Sequence, residues 1–148
     1  MYRRATIDDL EEIEKIAENK ITKDTLLSTF KGNEKYVYVF ESDNSNILGV
    51  TYFGSDDVDN DDFDSEVFGI YTINNELKDA IKAEMIFQTK RELYSKGYRN
   101  LIIWCNDEDE ESKKLFKGVG GIETKKRDKD NLVEVAYSFE LFEYPDVE

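Results

Sequence analysis

With no histidine among its 148 residues, the chain lacks the commonest general base and metal ligand. Proton transfer therefore falls to carboxylates, tyrosines, lysines or groups of a substrate. The stretch best placed to gather such groups is Glu66-Val67-Phe68-Gly69-Ile70-Tyr71-Thr72-Ile73, which runs on through Asn74-Asn75-Glu76-Leu77 to Lys82. It reads as a strand feeding a helix, a junction that turns unpaired backbone N–H groups outward and can hold an anion. Lys78 and Lys82, four apart, share a helical face there. They are placed either to offer cations to that anion or simply to meet solvent.

Other reactive residues read more blandly. Asp57-Val58-Asp59-Asn60-Asp61 has the opening spacing of a calcium loop, but the sixth position is Asp62 rather than Gly and the twelfth Phe68 rather than Glu, so a solvated acidic loop is expected and no metal. Cys105 is the single cysteine and follows Leu101-Ile102-Ile103-Trp104, which makes it a packed thiol. Tyr71, Tyr94 and Tyr137 are acid candidates by residue type, and each also suits packing.

The elements that must position these groups follow from periodicity. Tyr2 to Thr6 suits a strand, and a helix from Ile7 places Leu10, Ile13, Ile16 and Ala17 on one face. A second helix from Lys23 to Phe30, stopped by Lys31-Gly32, is expected to turn Leu26, Leu27 and Phe30 inward. Tyr36 to Phe40 and Ile47 to Phe53 form a hairpin about Asp43-Asn44-Ser45-Asn46. After the central strand comes a helix from Lys78 to Lys96, with Ile81, Met85, Ile86, Phe87, Leu93 and Tyr94 inward and Gly97 as its left-handed stop. Tyr98 to Cys105 is a buried strand, and Asp107 to Glu111 load acids at the start of a helix reaching Val119. A strand from Ile122 to Lys126, a turn over Arg127 to Asn131, and a strand alternating Val133, Val135, Tyr137, Phe139 and Leu141 with polar and small residues complete it. Residues Glu143 to Glu148 read as a frayed tail. The order specifies an α/β (α+β) fold, a mixed sheet with helices on both faces, in a single domain over residues 1–148.

Composition narrows the partners. A formal charge of −14 disfavours nucleic acid, because phosphate binding needs clustered cations. A basic or amine-bearing partner suits the charge better, although solubility alone also explains it. No apolar run approaches membrane-spanning length, no leader is evident, and the expected location is the cytoplasm.

Four stretches carry a likeness to a known family: Arg4-Ala5-Thr6-Ile7-Asp8-Asp9-Leu10; Ile70-Tyr71-Thr72-Ile73 with its loop and helix; Lys96-Gly97-Tyr98-Arg99-Asn100-Leu101-Ile102-Ile103-Trp104; and Ser112 to Gly121. In this order they resemble the GNAT superfamily of acyl-CoA-dependent N-acyltransferases over nearly the whole chain. The resemblance implies a mostly antiparallel central sheet, acetyl-CoA as co-substrate, and a primary amine on a small molecule or peptide as acceptor. It implies cofactor contacts at Tyr71, Thr72 and Ile73, at the loop positions Lys78, Asp79, Ala80, Ile81 and Lys82, and at Phe116. It further implies Glu66 as the base that deprotonates the amine, with the Thr72 backbone N–H meeting the oxyanion, and it leaves a homodimer open. The family loop usually reads Gln/Arg-x-x-Gly-x-Gly/Ala. Here Leu77, Ala80 and Lys82 replace its polar and glycine positions, Asp109 stands for an Asn, Phe116 for the tyrosine acid, and Gly121 for an aromatic. These departures imply an alternative: a catalytically impaired domain that serves as an acyl-CoA sensor or protein-interaction module.

Overall fold

The computed structural model describes residues 1–32, 34–56 and 62–143. The elements appear in the expected order. They are β1 (Tyr2–Arg4), a 3₁₀ turn (Ile7–Asp9), α1 (Leu10–Ile16), α2 (Lys23–Lys31), β2 (Lys35–Glu41), β3 (Ile47–Ser55), β4 (Ser65–Thr72), α3 (Lys78–Ser95), β5 (Asn100–Asn106), α4 (Glu110–Gly118), β6 (Ile122–Lys129) and β7 (Leu132–Glu140). The seven strands form one sheet in the order β1-β2-β3-β4-β5-β7-β6. Every pairing is antiparallel except β4 with β5. The calcium-like start at 57–61 and the tail from residue 144 lie outside the described residues.

Alternation along β2 divides the core. Tyr36 and Tyr38 turn to one face, where they join Phe53, Ile86 and Leu93 of α3 and Phe116 of α4. Val37 and Val39 turn to the other, joining Ile13 of α1, Leu26 of α2 and Val50. Helices thus cover both faces, as the apolar patterning requires. At the N-terminus, Arg3 Nη1 and Nη2 each lie 2.9 Å from an oxygen of Asp9, and Arg3 Nη2 is also 2.9 Å from Glu41. The Asp9 carboxylate further accepts the Thr6 N–H at 2.8 Å, so one buried acid fixes the start of the first helical segment.

Several expectations are corrected. In α2, Leu27 and Phe30 are exposed and the buried partner of Leu26 is Thr29, whose hydroxyl donates to the Leu26 carbonyl at 2.7 Å. A buried threonine is tolerated because its hydroxyl bonds within its own helix. In β7, Val133 is exposed near the sheet margin, whereas Ala136 is fully buried on the face assigned to solvent. The final turn is tighter than expected. It occupies Asp130 and Asn131, with φ of 51° and 66°, so β6 extends through Arg127 to Lys129. The stop at Gly97 holds, with φ at 98°.

Two features of β4 shape the centre of the molecule. Its register against β3 jumps from Gly69 opposite Tyr52 to Val67 opposite Phe53, leaving Phe68 as a bulge. The bulge reverses the alternation, so Val67 and Ile70, three apart, both join the α3–α4 face. Second, β4 pairs with β5 only at Glu66–Ile102 and Val67–Ile103. Beyond that point β4 follows β3 as far as Thr72 and β5 follows β7 as far as Asn106, so the two strands part. The closed end is clamped by Asp64, whose carboxylate accepts the N–H groups of Arg99 at 2.9 Å and Asn100 at 3.1 Å.

Candidate active site

The gap between β4 and β5 brings Glu66 close to the main chain of Ile70 and Thr72. The Ile73 N–H donates to the Leu48 carbonyl at 3.0 Å. Because an antiparallel ladder alternates its bonds, Tyr71 and Ile73 spend their N–H groups on β3, while Ile70 and Thr72 direct theirs into the gap. Glu66 stands at the base of that gap, buried to 9% exposure rather than open to solvent as a strand-start carboxylate would be. It faces away from Val67, on the side of the sheet that carries α1 and α2.

The helix after β4 begins at Lys78, as expected. Asn75 does part of the capping. Its side-chain oxygen accepts the Leu77 N–H at 2.9 Å and its carbonyl accepts that of Lys78 at 3.2 Å. The N–H groups of Asp79 and Ala80 complete the first turn, where no intrahelical acceptor exists. Ile81 already bonds Leu77 and is buried in the core, so it presents little to a ligand. Leu77 is 58% exposed.

The lysines of this turn face α4. Lys78 Nζ lies 3.2 Å from Glu111 Oε1, and Lys82 is close enough to Asp109 to favour its ionised form. Asp109 is the N-cap of α4 and accepts the Ser112 N–H at 3.0 Å and the Ser112 hydroxyl at 2.7 Å. Burial opposes its charge, but those bonds together with Lys82 hold its carboxyl below the usual range. Between the two helices runs a cleft of about 470 Å³ lined by Asp79, Glu111, Lys114, Leu115, Gly118 and Val119.

Phe116 is buried, and its ring meets that of Tyr137 edge-on at 5.8 Å. Tyr137 is fully buried beneath it, and among the described residues its hydroxyl has no hydrogen-bond partner. Burial first, then Glu123 and Cys105, raises its pKa. Tyr71 packs toward α1 and α2 with Lys20 over its ring, and Tyr94 lies under Arg99. Tyr71 and Tyr94 thus pack against other residues, while Tyr137 is sealed beneath Phe116. Gly121 is explained by packing: a Cβ there would stand 2.7 Å from Phe139 and 2.8 Å from the Phe116 carbonyl. Phe139, from β7, occupies the space that a side chain at Gly121 would enter. Cys105 packs against the core, and burial, with Asp109 adding to it, pushes its thiol up to about 11. It remains protonated at neutral pH.

Sequence reasoning missed the Ile70 N–H, the Phe68 bulge and the Glu111 partner of Lys78. The bulge leaves no mark in composition, and the ion pair joins residues of different helices.

The overall fold recurs in solved structures. An N-acetyltransferase from Staphylococcus aureus Mu50 superposes with a TM-score of 0.76 at 24% identity, over 96% of this chain and 98% of its own. The chain has the GNAT acetyltransferase fold. Spermidine N-acetyltransferase from Vibrio cholerae shares this GNAT fold at a TM-score of 0.79 and 10% identity, over 95% and 93% of the two chains. The ribosomal-protein-S18-alanine N-acetyltransferase from Escherichia coli does so at 0.73 and 10%, over 99% and 96%. No protein-family model and no curated protein sequence matches the chain. Among the described residues no helix is long and apolar enough to cross a membrane.

Proposed function

We propose that this chain transfers an acetyl group from acetyl-CoA to a primary amine of a small-molecule or peptide acceptor. One observation carries the reading: the gap between β4 and β5 has a buried carboxylate, Glu66, at its base and the Ile70 and Thr72 N–H groups along its wall. In the proposed step the neutral amine nitrogen attacks the thioester carbonyl carbon. The proton shed by nitrogen goes to Glu66, directly or through water. Negative charge gathers on the carbonyl oxygen, to which the Thr72 N–H donates a hydrogen bond. The C–S bond then breaks with its electron pair on sulfur, and solvent protonates the thiolate, since Phe116 has no proton to give. The residues available to the co-substrate's phosphates are the Asp79 and Ala80 N–H groups with Lys78 and Lys82, and the cleft between α3 and α4 lies next to them.

The second reading, a non-catalytic acyl-CoA sensor or interaction module, is favoured by the Lys78–Glu111 pair and by Phe116. Calorimetric titration with acetyl-CoA and CoA, followed by mass-spectrometric assay of acetyl transfer to a panel of amines, separates the two. Binding with turnover supports the enzyme. Binding without turnover supports the sensor, and no heat at millimolar ligand removes both cofactor-based readings.

A further inference from the structure

The face of the sheet that bears Glu66 carries a second arrangement, on β5, β7 and β6. The Arg127 guanidinium lies on the Trp104 indole, with Cζ 3.9 Å from the ring centroid. In register Arg127 is opposite Glu134 on β7, while Ala136 stands between Lys125 on β6 and Trp104 on β5. The Arg127 Nε is fixed 2.8 Å from Glu134 Oε1. Lys125, two residues earlier on the same face, stands 5.9 Å from the same ring and 5.2 Å from Phe63. Two cations therefore share one indole, and among the described residues Glu134 is the one carboxylate ion-paired with them, in a chain of formal charge −14. Among the described residues the terminal nitrogens of Arg127 have no hydrogen-bonded partner, and Lys125 has no ion pair. Stacking holds the guanidinium plane and Glu134 holds one edge, so the remaining N–H edge is pre-organised for an oxyanion.

The arrangement stands beside the gap. Ile102 is directly opposite Glu66, and Trp104 is one pleat further along β5 on the same face. Strand geometry puts Trp104 roughly 8 Å from Glu66, backbone to backbone. We propose that Arg127, with Lys125 beside it, binds a carboxylate of the acceptor, so that the acceptor is a small amine that also carries a carboxylate. Glu66 addresses the amine end and Arg127 the acid end. The inference rests on the acetyl-transfer reading for the role of Glu66, but the binding it asserts is measurable without turnover.

Trp104 is the sole tryptophan, so its fluorescence reports on the site directly. Glycine, leucine, glutamate and lysine, each beside its carboxamide, and spermidine are titrated into the CoA-saturated full chain and assayed with acetyl-CoA. At least one amino acid is expected to change the fluorescence saturably, with roughly ten-fold tighter binding or lower KM than its amide. Arg127→Gln should abolish that preference through KM, with kcat moving less than about two-fold. Arg127→Lys should restore only part, because an ammonium keeps the charge without the stacked fork. Far-UV circular dichroism and sedimentation accompany each variant, and Lys125→Gln gives a weaker loss if Arg127→Gln fails to fold. If the preference appears in fluorescence but nothing is acetylated, the site stands and the transfer reading falls. Equal response to acids and amides, a preference unchanged by the substitutions, no response to any compound, or a dimer that Arg127→Gln dissociates would each overturn the proposal.

Discussion

Lys78 Nζ on α3 lies 3.2 Å from Glu111 Oε1 on α4, so a cation proposed to meet phosphate is already paired across the cleft. Both side chains are partly exposed, and such a pair contributes little to stability, about 0–1 kcal/mol. Its consequence is for binding, since an incoming phosphate must displace Glu111. Glu111→Gln is expected to tighten CoA binding about two- to five-fold, and the Lys78→Ala/Lys82→Ala double variant to weaken it with a shallower salt dependence. Titration at two salt concentrations measures both. Unchanged affinity in the double variant would end the assignment of these lysines to phosphate.

In the proposed transfer Phe116 stands where the family resemblance implies a hydroxyl for the leaving thiolate. It is 3% exposed and rests on the Tyr137 ring. Phe116→Tyr is expected to raise kcat by roughly ten-fold or more, since a positioned general acid contributes on the order of 10²–10⁴. Steady-state kinetics on one acceptor checks this. A flat response would place control in another group or another step.

Gly121 has no room for a side chain, because a Cβ would meet the backbone oxygen of Phe116 at 2.8 Å. Gly121→Ala should destabilise the fold by about 1–3 kcal/mol through overpacking, and the truncation Phe139→Leu in the same chain should recover part of that loss by clearing the Phe139 side of the contact. Denaturant unfolding of the two single variants and the pair provides the test, and simple additivity would refute the stated cause.

Asp9 is held below the usual carboxylate range, first by its hydrogen bonds from Arg3 against the opposing cost of burial, then by the Thr6 N–H. A depressed folded-state pKa contributes stability that is present above the unfolded value of about 3.9 and is lost as pH falls through the folded value. Asp9→Asn should therefore lower Tm by several degrees at pH 7, about 1–3 kcal/mol, with the gap to the native chain closing below pH 4. A gap of constant size from pH 7 to pH 3 would show that lost packing, not charge, is responsible.

Much of the fold was legible because each element carries a local signal. β-Branched and aromatic richness about a turn set marked β2 and β3, period-two alternation marked β7, and the amphipathic repeat with Gly97 marked α3. The misses at Leu27, Phe30 and Ala136 share a cause. Periodicity tells which residues lie together on a face, but which face meets a neighbour is decided by where the next element docks.

The sequence by itself determined the order of elements and the strand-to-helix junction at Ile73 to Lys78. It did so because composition and short-range periodicity are local properties. Only the tertiary structure decided that β4 and β5 part after Val67, that Ile70 and Thr72 turn their N–H groups into the opening, that Glu66 is buried at its base, and that Lys78 meets Glu111 and Arg127 meets Trp104. Those relations join residues distant in sequence through strand register and helix docking, and no local pattern encodes them.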